Sequence, residues 1–299
     1  MKYHSPVLLK ECIQGLQIQE GGTYVDVTYG GGGHSAAILE KLGNGKLYVF
    51  DQDPDAAHNE IKDERLIFIK ANFRHLKRFM KFYNAIPVNG ILADLGVSSH
   101  QFDVPDRGFS TRFDAPLDMR MDKSGKLSAK EVINDYTEEN LKTVFIQYGE
   151  IHNAQKLAHA LCTARETEEI ITVEQLKKAS ASCLPKGKEN QYYAQMFQAI
   201  RIEVNDELEA LKDLISQSAE VLGKEGRLLV ISYHSLEDRI AKNFFTKGKF
   251  EGEREKDFFG IQADIPFKQL SKKPLVVTPE ELKINPRSRS AKLRIAEKN

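Results

Sequence analysis

The sequence predicts an α/β fold built on a doubly wound parallel sheet, and two features lead to that prediction. Short runs of β-branched and aromatic residues alternate with helical stretches along the N-terminal part of the chain, up to Asp94. The first of these runs, which begins at Tyr24, ends in an acid and is soon followed by four glycines, Gly30–Gly33. Strands that alternate with helices over short connections form parallel sheets with right-handed crossovers.

Each element follows from its local pattern. Strands are predicted where short apolar runs stop at polar or turn residues, namely at Tyr24–Asp26, Leu47–Asp51, Leu66–Ile69, Val88–Leu95 and Arg227–Ser232. Helices are predicted over Val7–Leu16, His34–Leu42, Asp53–Lys62 and Phe73–Tyr83. Ser235–Asp238 has the pattern of a capping box that starts a further helix. Ala291–Ile295 alternates apolar and basic residues, which predicts an edge strand.

The strand and helix alternation stops after Asp94. A segment rich in Gly, Pro, Asp and Arg runs to about Met121, and apolar stripes at helical spacing follow it. A helix over Ala194–Leu222 is expected to return the chain to the sheet. We therefore predict one domain from residues 1–103 and 195–299, with a small helical domain inserted at 104–194.

The composition is that of a globular protein with 41% hydrophobic and 29% charged residues. The net charge is zero, so the whole chain gives no reason to expect nucleic-acid binding. Its cysteines, Cys12, Cys162 and Cys183, lie far apart without the spacing of metal ligands, so we expect neither disulfides nor a metal site. No apolar run is long enough for a membrane span or a signal core, so we expect a cytoplasmic protein without membrane contact.

The glycine run indicates a nucleotide-binding turn. Glycines admit positive φ and let the N–H groups at a helix start approach a ligand closely. Asp51 ends the second strand 21 positions after Gly30, near the spacing at which an acid binds a ribose. A nicotinamide dinucleotide and S-adenosylmethionine both fit this pattern, and the residues alone leave that choice open.

Two stretches are rich in basic residues. Lys70–Lys81 contains five Lys or Arg and no acid, and Lys268–Asn299 contains nine against three acids. Both are candidate surfaces for phosphate, and a solvated helix face or basic tail is the alternative.

Motifs over nearly the full length resemble a known family. They are HSPVLL at 4–9, TYGGGGHS at 28–35, DLGVSS at 94–99, RGFS at 107–110, PLDMRM at 116–121, FQA at 197–199, YHSLEDR at 233–239 and NPRSRS at 285–290. In these motifs the chain resembles the bacterial small-subunit (16S) ribosomal RNA cytosine-N4 methyltransferases.

The resemblance implies a Rossmann-like domain that binds S-adenosylmethionine and carries an inserted helical domain. It implies methyl transfer to the N4 amine of a cytidine in ribosomal RNA near the decoding centre. By motif, the cofactor contacts carry over to Gly32, Gly33, His34, Asp51, Phe73, Asp94 and Gln101. The glycine amides and His34 are expected to hold the methionine end, Asp51 the ribose, and Phe73 the adenine.

The methyl-accepting site is less well defined. DNA amine methyltransferases carry a Pro-Pro-aromatic run after the fourth strand, and this chain has Leu95–Val97 there. Asp94 is the candidate catalytic residue, although we favour cofactor binding for it. Arg107, His234 and Arg287 are candidate contacts to substrate RNA.

The alternatives are a DNA amine methyltransferase, an NAD-dependent oxidoreductase and a non-catalytic RNA-binding factor. The expected partner is small-subunit ribosomal RNA or the small ribosomal subunit. A homodimer is possible, since the sequence does not reveal the oligomeric state.

Overall fold

The computed structural model describes residues 6–59, 61–254 and 264–299. Its strands are β1 (Thr23–Asp26), β2 (Lys46–Asp51), β3 (Leu66–Lys70), β4 (Val88–Asp94), β5 (Leu222–Ser232), β6 (Phe267–Gln269), β7 (Leu275–Val276) and β8 (Lys292–Lys298). Its α-helices are α1 (Leu9–Leu16), α2 (Gly33–Lys41), α3 (Leu76–Phe82), α4 (Ser99–Asp103), α5 (Ala129–Asp135), α6 (Glu138–Gln147), α7 (Ala154–Thr167), α8 (Val173–Ser180), α9 (Glu189–Asn205), α10 (Glu207–Val221), α11 (Ser235–Lys247) and α12 (Pro279–Ile284). The first two residues of the HSPVLL motif, His4 and Ser5, lie outside the described residues.

The chain forms two compact units. The first combines the residues up to Gly96 with those from Leu208 onwards, and the second is Val97–Glu207. The second unit is wider than the insertion predicted at 104–194, because α9 contributes Met196 and Phe197 to its apolar core. The functional domain assignment remains a prediction.

The first unit is a Rossmann-like sheet, which confirms the predicted fold class. The strand order is β3-β2-β1-β4-β5-β8-β6, with β7 also paired to β8. Neighbours from β3 to β5 are parallel, whereas β8 runs antiparallel to β5 and β6. The prediction of an edge strand at Ala291–Ile295 was wrong: β8 has partners on both sides, and its Leu293, Ile295 and Ala296 are buried.

Alternate side chains of the parallel strands enter two different cores, one on each face of the sheet. In β2, Leu47 and Val49 pack on the face covered by α1 and α2, while Tyr48 and Phe50 pack on the face covered by α3, α10 and α11. Because helices cover both faces, the strands are apolar throughout rather than half polar. This explains why continuous apolar runs marked them in the sequence.

Two predicted helices differ from the observed ones. The helix expected over Ala194–Leu222 is divided at Asp206, whose left-handed φ of 50° ends α9 before α10 begins. The stretch Pro54–Asn59 forms a 3-10 helix in place of the α-helix expected over Asp53–Lys62. Among the described residues, none of the helices combines the length and apolar character that a membrane crossing requires.

The second unit has an apolar core of its own. Helices α5 to α9 supply most of it, with Leu141, Phe145, Leu157 and Leu161 fully buried. Polar side chains start these helices: Ser128 and Glu131 form a capping box at α5, and an equivalent box starts α8.

Candidate active site

The candidate site lies at the carboxyl ends of the parallel strands in the first unit. The chain continues from β1 to β2 on one side, and later places β4 on the other side of β1. A crevice opens where the strand order reverses in this way, and ligands of doubly wound sheets bind there. Asp26, Asp51 and Asp94 are the last residues of β1, β2 and β4.

The glycine loop joins β1 to α2 in a conformation that side chains disfavour. Gly30 and Gly32 have φ values of 52° and 75°. A Cβ at Gly32 would lie 2.8 Å from the Tyr29 hydroxyl, and one at Gly33 would lie 2.3 Å from Cγ of Pro6. A Cβ at Gly30 would lie 4.0 Å from its nearest neighbour, the Thr28 carbonyl oxygen, so that glycine borders open space. The loop therefore presents bare backbone to the crevice.

Asp26 binds the two ends of the glycine loop through its carboxylate. Its Oδ2 accepts a 2.7 Å hydrogen bond from the Ser35 hydroxyl, and its Oδ1 accepts one of 3.1 Å from the Thr28 N–H. The residue is 1% exposed, and burial raises the pKa of its carboxyl. Sequence reasoning noted Asp26 only as a strand end, although the Asp-x-Thr spacing was a signal for this turn.

Asp51 connects the end of β2 to the same loop. Its Oδ2 accepts a 2.9 Å hydrogen bond from Gly30 N–H, and its Oδ1 accepts one of 2.8 Å from Asp53 N–H. Burial raises the pKa of Asp51 to about 6, and these two donors lower it in part. Each carboxylate oxygen can accept a second hydrogen bond, so the two oxygens of Asp51 can still bind a diol.

Asp94 is held by three neighbours. Its N–H donates to the Thr28 hydroxyl at 2.7 Å, and its Oδ1 accepts a 2.8 Å hydrogen bond from the Tyr233 hydroxyl. Its Oδ2 lies 3.8 Å from Nδ1 of His34. Burial raises the pKa of Asp94 to about 6, while His34 and the Tyr233 hydroxyl lower it.

Tyr233 was missed as a site residue, although its place directly after β5 was a signal that it reaches the same sheet edge. Burial and the nearby Asp94 raise the pKa of its phenol well above the ordinary value, so the hydroxyl remains a donor. Its ring packs on Gly96, where a Cβ would lie 3.3 Å from Cδ2 of the ring. The aromatic ring beside Asp94 thus comes from the end of β5, whereas Leu95–Val97 supply none.

His34 has a defined orientation. Its Nε2 lies 3.0 Å from the carbonyl oxygen of Val7, which can only accept, so Nε2 carries a proton. The other nitrogen, Nδ1, therefore faces Asp94. The residue is 6% exposed and lies in the first turn of α2.

His234 and Glu237 form the start of α11. The N-cap is His234 rather than the expected Ser235, and Oε2 of Glu237 accepts a 2.8 Å hydrogen bond from Tyr233 N–H. Nε2 of His234 lies 3.2 Å from Oε1 of Glu237, with only 7% of the His234 side chain exposed. Glu237 thereby holds the backbone that positions Tyr233.

Phe73 lies close to the Asp51 segment. It is half-buried and opens the 3-10 turn Phe73–His75 after β3. Its neighbour Asn72 donates a 2.7 Å hydrogen bond to the side chain of Gln52, the residue after Asp51. This link connects the ends of β2 and β3.

Gln101 and Arg107 belong to the second unit. The Gln101 side chain is buried and accepts a 3.0 Å hydrogen bond from Ser98 N–H in the capping box of α4. Arg107 is 3% exposed, and its guanidinium donates to the carbonyl oxygens of Arg120 and Met121 at 3.0 and 3.2 Å. Arg107, which was a candidate contact to substrate RNA, is therefore buried within its own loop.

Arg287 is exposed, in the 3-10 helix Pro286–Ser290 of the first unit. The site residues that the structure brings together in the first unit are Gly32, Gly33, His34, Asp51 and Asp94.

The hydrogen-bond acceptors at this edge suit a ligand with a diol and positive charge. The two partly exposed carboxyls, Asp51 and Asp94, favour cations and hydroxyl donors, and would repel a pyrophosphate. Gly30 leaves room for a ligand at the backbone. S-adenosylmethionine, which has a ribose, an ammonium group and a sulfonium, fits these features.

The fold and this edge thus define a Rossmann-like domain with a nucleoside-type cofactor site. The model of the MraW methylase family matches residues 1–299, and the chain belongs to that family. This confirms the predicted family, and with it a methyltransferase that uses S-adenosylmethionine.

Relatives and solved structures are similar over almost the full length. The ribosomal RNA small subunit methyltransferase H of Flavobacterium psychrophilum is 56% identical over 97% of this chain and 100% of the relative. That of Flavobacterium johnsoniae is 56% identical over 100% of this chain and 98% of the relative. The crystal structure of a putative rRNA-methylase from Clostridium thermocellum covers 98% of each chain with 14% identity and a TM-score of 0.47.

Proposed function

We propose that this chain transfers a methyl group from S-adenosylmethionine to the N4 amine of a cytidine in small-subunit ribosomal RNA, near the decoding centre. The observation that carries the RNA substrate is the 56% identity, over the whole chain, to a ribosomal RNA small subunit methyltransferase H. The cytosine-N4 position rests on the motif resemblance described above.

We assign the cofactor contacts to Gly32, Gly33, His34, Asp51, Phe73, Asp94 and Gln101. The free lone pairs of Asp51 suit the ribose hydroxyls, and Asp94 suits the ammonium group. The half-buried ring of Phe73 suits the adenine face, since its neighbour Asn72 is hydrogen-bonded to Gln52, the residue after Asp51. Gln101 is assigned by motif alone, because its side chain already caps α4.

The chemistry requires positioning more than a strong base. A cytosine amine is a weak nucleophile because its lone pair is delocalised into the ring. S-adenosylmethionine supplies an activated methyl group when it is bound. The protein then has to align the amine with that methyl group and accept a hydrogen bond from the amine.

Asp94 is the candidate acceptor, and its partners set its role. Tyr233 occupies one carboxylate oxygen through its hydroxyl, which leaves Oδ2 directed towards His34. We favour cofactor binding for Asp94 and retain contact with the amine as the alternative. An Asp94→Asn variant that binds the cofactor normally but transfers no methyl group would reverse that preference.

Among the candidate RNA contacts, exposure supports Arg287 most directly. Buried Arg107 is more consistent with positioning the loop that ends at Met121. His234 remains a proposed base contact, with Glu237 as its neighbour. The target base must leave its stack to reach the methyl group, and phosphate contacts would fix the register.

A DNA amine methyltransferase would use the same cofactor edge and is the alternative that the experiment must separate. The NAD-dependent oxidoreductase is overturned by membership of a methylase family. A homodimer finds no support among the described residues and is not part of the proposal. The proposed partner is the small ribosomal subunit or its RNA.

The test uses small ribosomal subunits from cells that lack this methylation, together with their free RNA and a DNA duplex. Labelled methyl transfer is measured, and the product nucleoside is identified by mass spectrometry. We expect N4-methylcytidine in the RNA. Transfer to DNA alone, or another methylated nucleoside, would contradict the proposal and leave the family membership intact.

A further inference from the structure

The outer surface of α3 carries a basic cleft that the active site does not use. The cleft has a volume of about 550 Å³ and is lined by Arg74, His75, Lys77, Arg78, Lys81 and Gln217. It lies in the first unit, on the sheet face covered by α3 and α10. Its cations belong to the stretch Lys70–Lys81, which was singled out in the sequence for having no acid.

Carboxylates of α10 neutralise only part of this charge. Arg74 lies 3.1 Å from Asp213, and Lys77 is paired with Glu220. Arg78 and Lys81 are exposed, and neither forms a hydrogen bond or close ion pair with the residues that the structure describes. The four cations and two carboxylates leave a net charge of +2, although Glu220 also attracts Lys81.

An exposed aromatic side chain lies at the end of the same helix. Phe82 is 75% exposed, the most of any large apolar side chain among the described residues. It lies four residues after Arg78, so the two side chains are neighbours on one helix face. Tyr83 supports the ring edge-on at 5.1 Å and itself packs against Tyr48 at 5.3 Å.

We propose that the Arg78, Lys81 and Phe82 surface of α3 binds a single-stranded segment of the substrate RNA. The two cations contact phosphates and the Phe82 ring stacks on a base, which is how proteins hold unpaired RNA. A lone exposed Phe needs no explanation, but one on the same short helix as two exposed cations matches both parts of a nucleotide. This inference rests on the proposed function and extends its RNA contacts beyond the cofactor edge.

The test measures binding of the full chain to in vitro transcribed 16S RNA over about 50 to 200 mM salt. Lys81→Glu should reduce the slope of log K against log salt by at least about 0.7. Phe82→Ala should weaken binding by about fivefold or more, and Phe82→Trp should retain it. The matched control is Lys41→Glu, since Lys41 is also an exposed lysine in a last helical turn but lies on the opposite sheet face.

Each outcome decides the question. The proposal fails if Lys81→Glu and Phe82→Ala bind free RNA like Lys41→Glu, or if the unaltered chain binds it without salt dependence. Weaker binding to assembled subunits but not to free RNA would mean a ribosomal protein partner, and would also overturn it. Methyl transfer by the unaltered chain is measured in parallel, so loss of the proposed function is recognised separately.

Discussion

At the scale of single residues, Asp51 and Asp94 have the same unusual property. Burial raises the pKa of each carboxyl to about 6, because neighbouring donors only partly replace the lost water. Such a group holds its proton more tightly in the folded chain than in the unfolded one. A cation or diol ligand, in contrast, binds the ionised form.

We therefore expect opposite effects of acidification on ligand binding and on stability. Below about pH 6, affinity for S-adenosylmethionine should fall, by up to about tenfold per pH unit for each carboxyl that must lose its proton. The contribution of Asp94 to the free energy of unfolding should rise over the same range, because the folded state binds more protons. Calorimetric titrations and urea unfolding from pH 5 to pH 8 measure the two quantities.

An Asp94→Asn variant isolates the second effect. Relative to the unaltered chain, it should be more stable at pH 8 by about 1 to 3 kcal/mol, keep about half of that advantage at pH 5 and lose it below about pH 4. A stability difference that does not change with pH would show that Asp94 titrates normally.

A second prediction concerns Gly32. Gly32→Ala should lower cofactor affinity, because the new Cβ would lie 2.8 Å from the Tyr29 hydroxyl and move the loop. Gly187→Ala is the matched control, since Gly187 has the same φ of 75° but nothing within 4 Å of its Cβ position. Both changes should cost about 1 to 2 kcal/mol of stability for the left-handed backbone. Equal cofactor affinity in the two variants would contradict a special role for the Gly32 backbone.

At the scale of elements, the local sequence pattern was sufficient to predict the strands that are buried on both faces of the sheet. The apolar runs of β1 to β4 were recognised because both faces of the sheet are covered. The position of β8 was not, because alternating basic residues resemble an edge. In the structure Arg294 of β8 is buried against Asp238 of α11, at 2.6 Å, and this long-range pair has no local signal.

The polar loop around Arg107 is a second case in which the local sequence does not predict the contacts of a side chain. A motif identifies Arg107 and Gln101 as notable residues but does not say which way their side chains point. Both are occupied within the second unit, by carbonyl oxygens and by a helix cap. Asp51 and the glycines were found from sequence because strand, loop and helix are contiguous, whereas Tyr233 meets Asp94 across a separation of 139 residues.

We predict that Arg107→Ala lowers the stability of the second unit by about 2 to 3 kcal/mol. The change leaves the carbonyl oxygens of Arg120 and Met121 without their charged donor in a buried place. Arg112→Ala is the control, since Arg112 is exposed on the same loop and should change stability by less than about 0.5 kcal/mol. Thermal unfolding compares the two, and similar melting temperatures would argue against a structural Arg107.

At the scale of the whole molecule, each unit has its own apolar core. The cluster that contains Leu157 and Phe145 draws all its members from within Val97–Glu207, and the two clusters on the sheet draw none from that range. A unit with a separate core can fold as a domain.

The fragment 97–207 should therefore fold when it is expressed alone. We expect a helical circular dichroism spectrum and a cooperative thermal transition. Leu161→Asp, which places a charge at a fully buried position, should abolish that transition. A fragment that shows no transition even without this substitution would mean that the second unit depends on the first.

β4 pairs with β5 although the second unit separates the two strands in the sequence. This order has a consequence for synthesis on the ribosome. Strands β1 to β4 leave the exit tunnel first, and the free edge of β4 then remains without β5 while Val97–Glu207 is translated. The second unit is rich in local helical contacts, which form quickly. The nascent chain thus carries an unpaired strand edge, a site for mispairing with other chains, beside a helical domain that can already be folded.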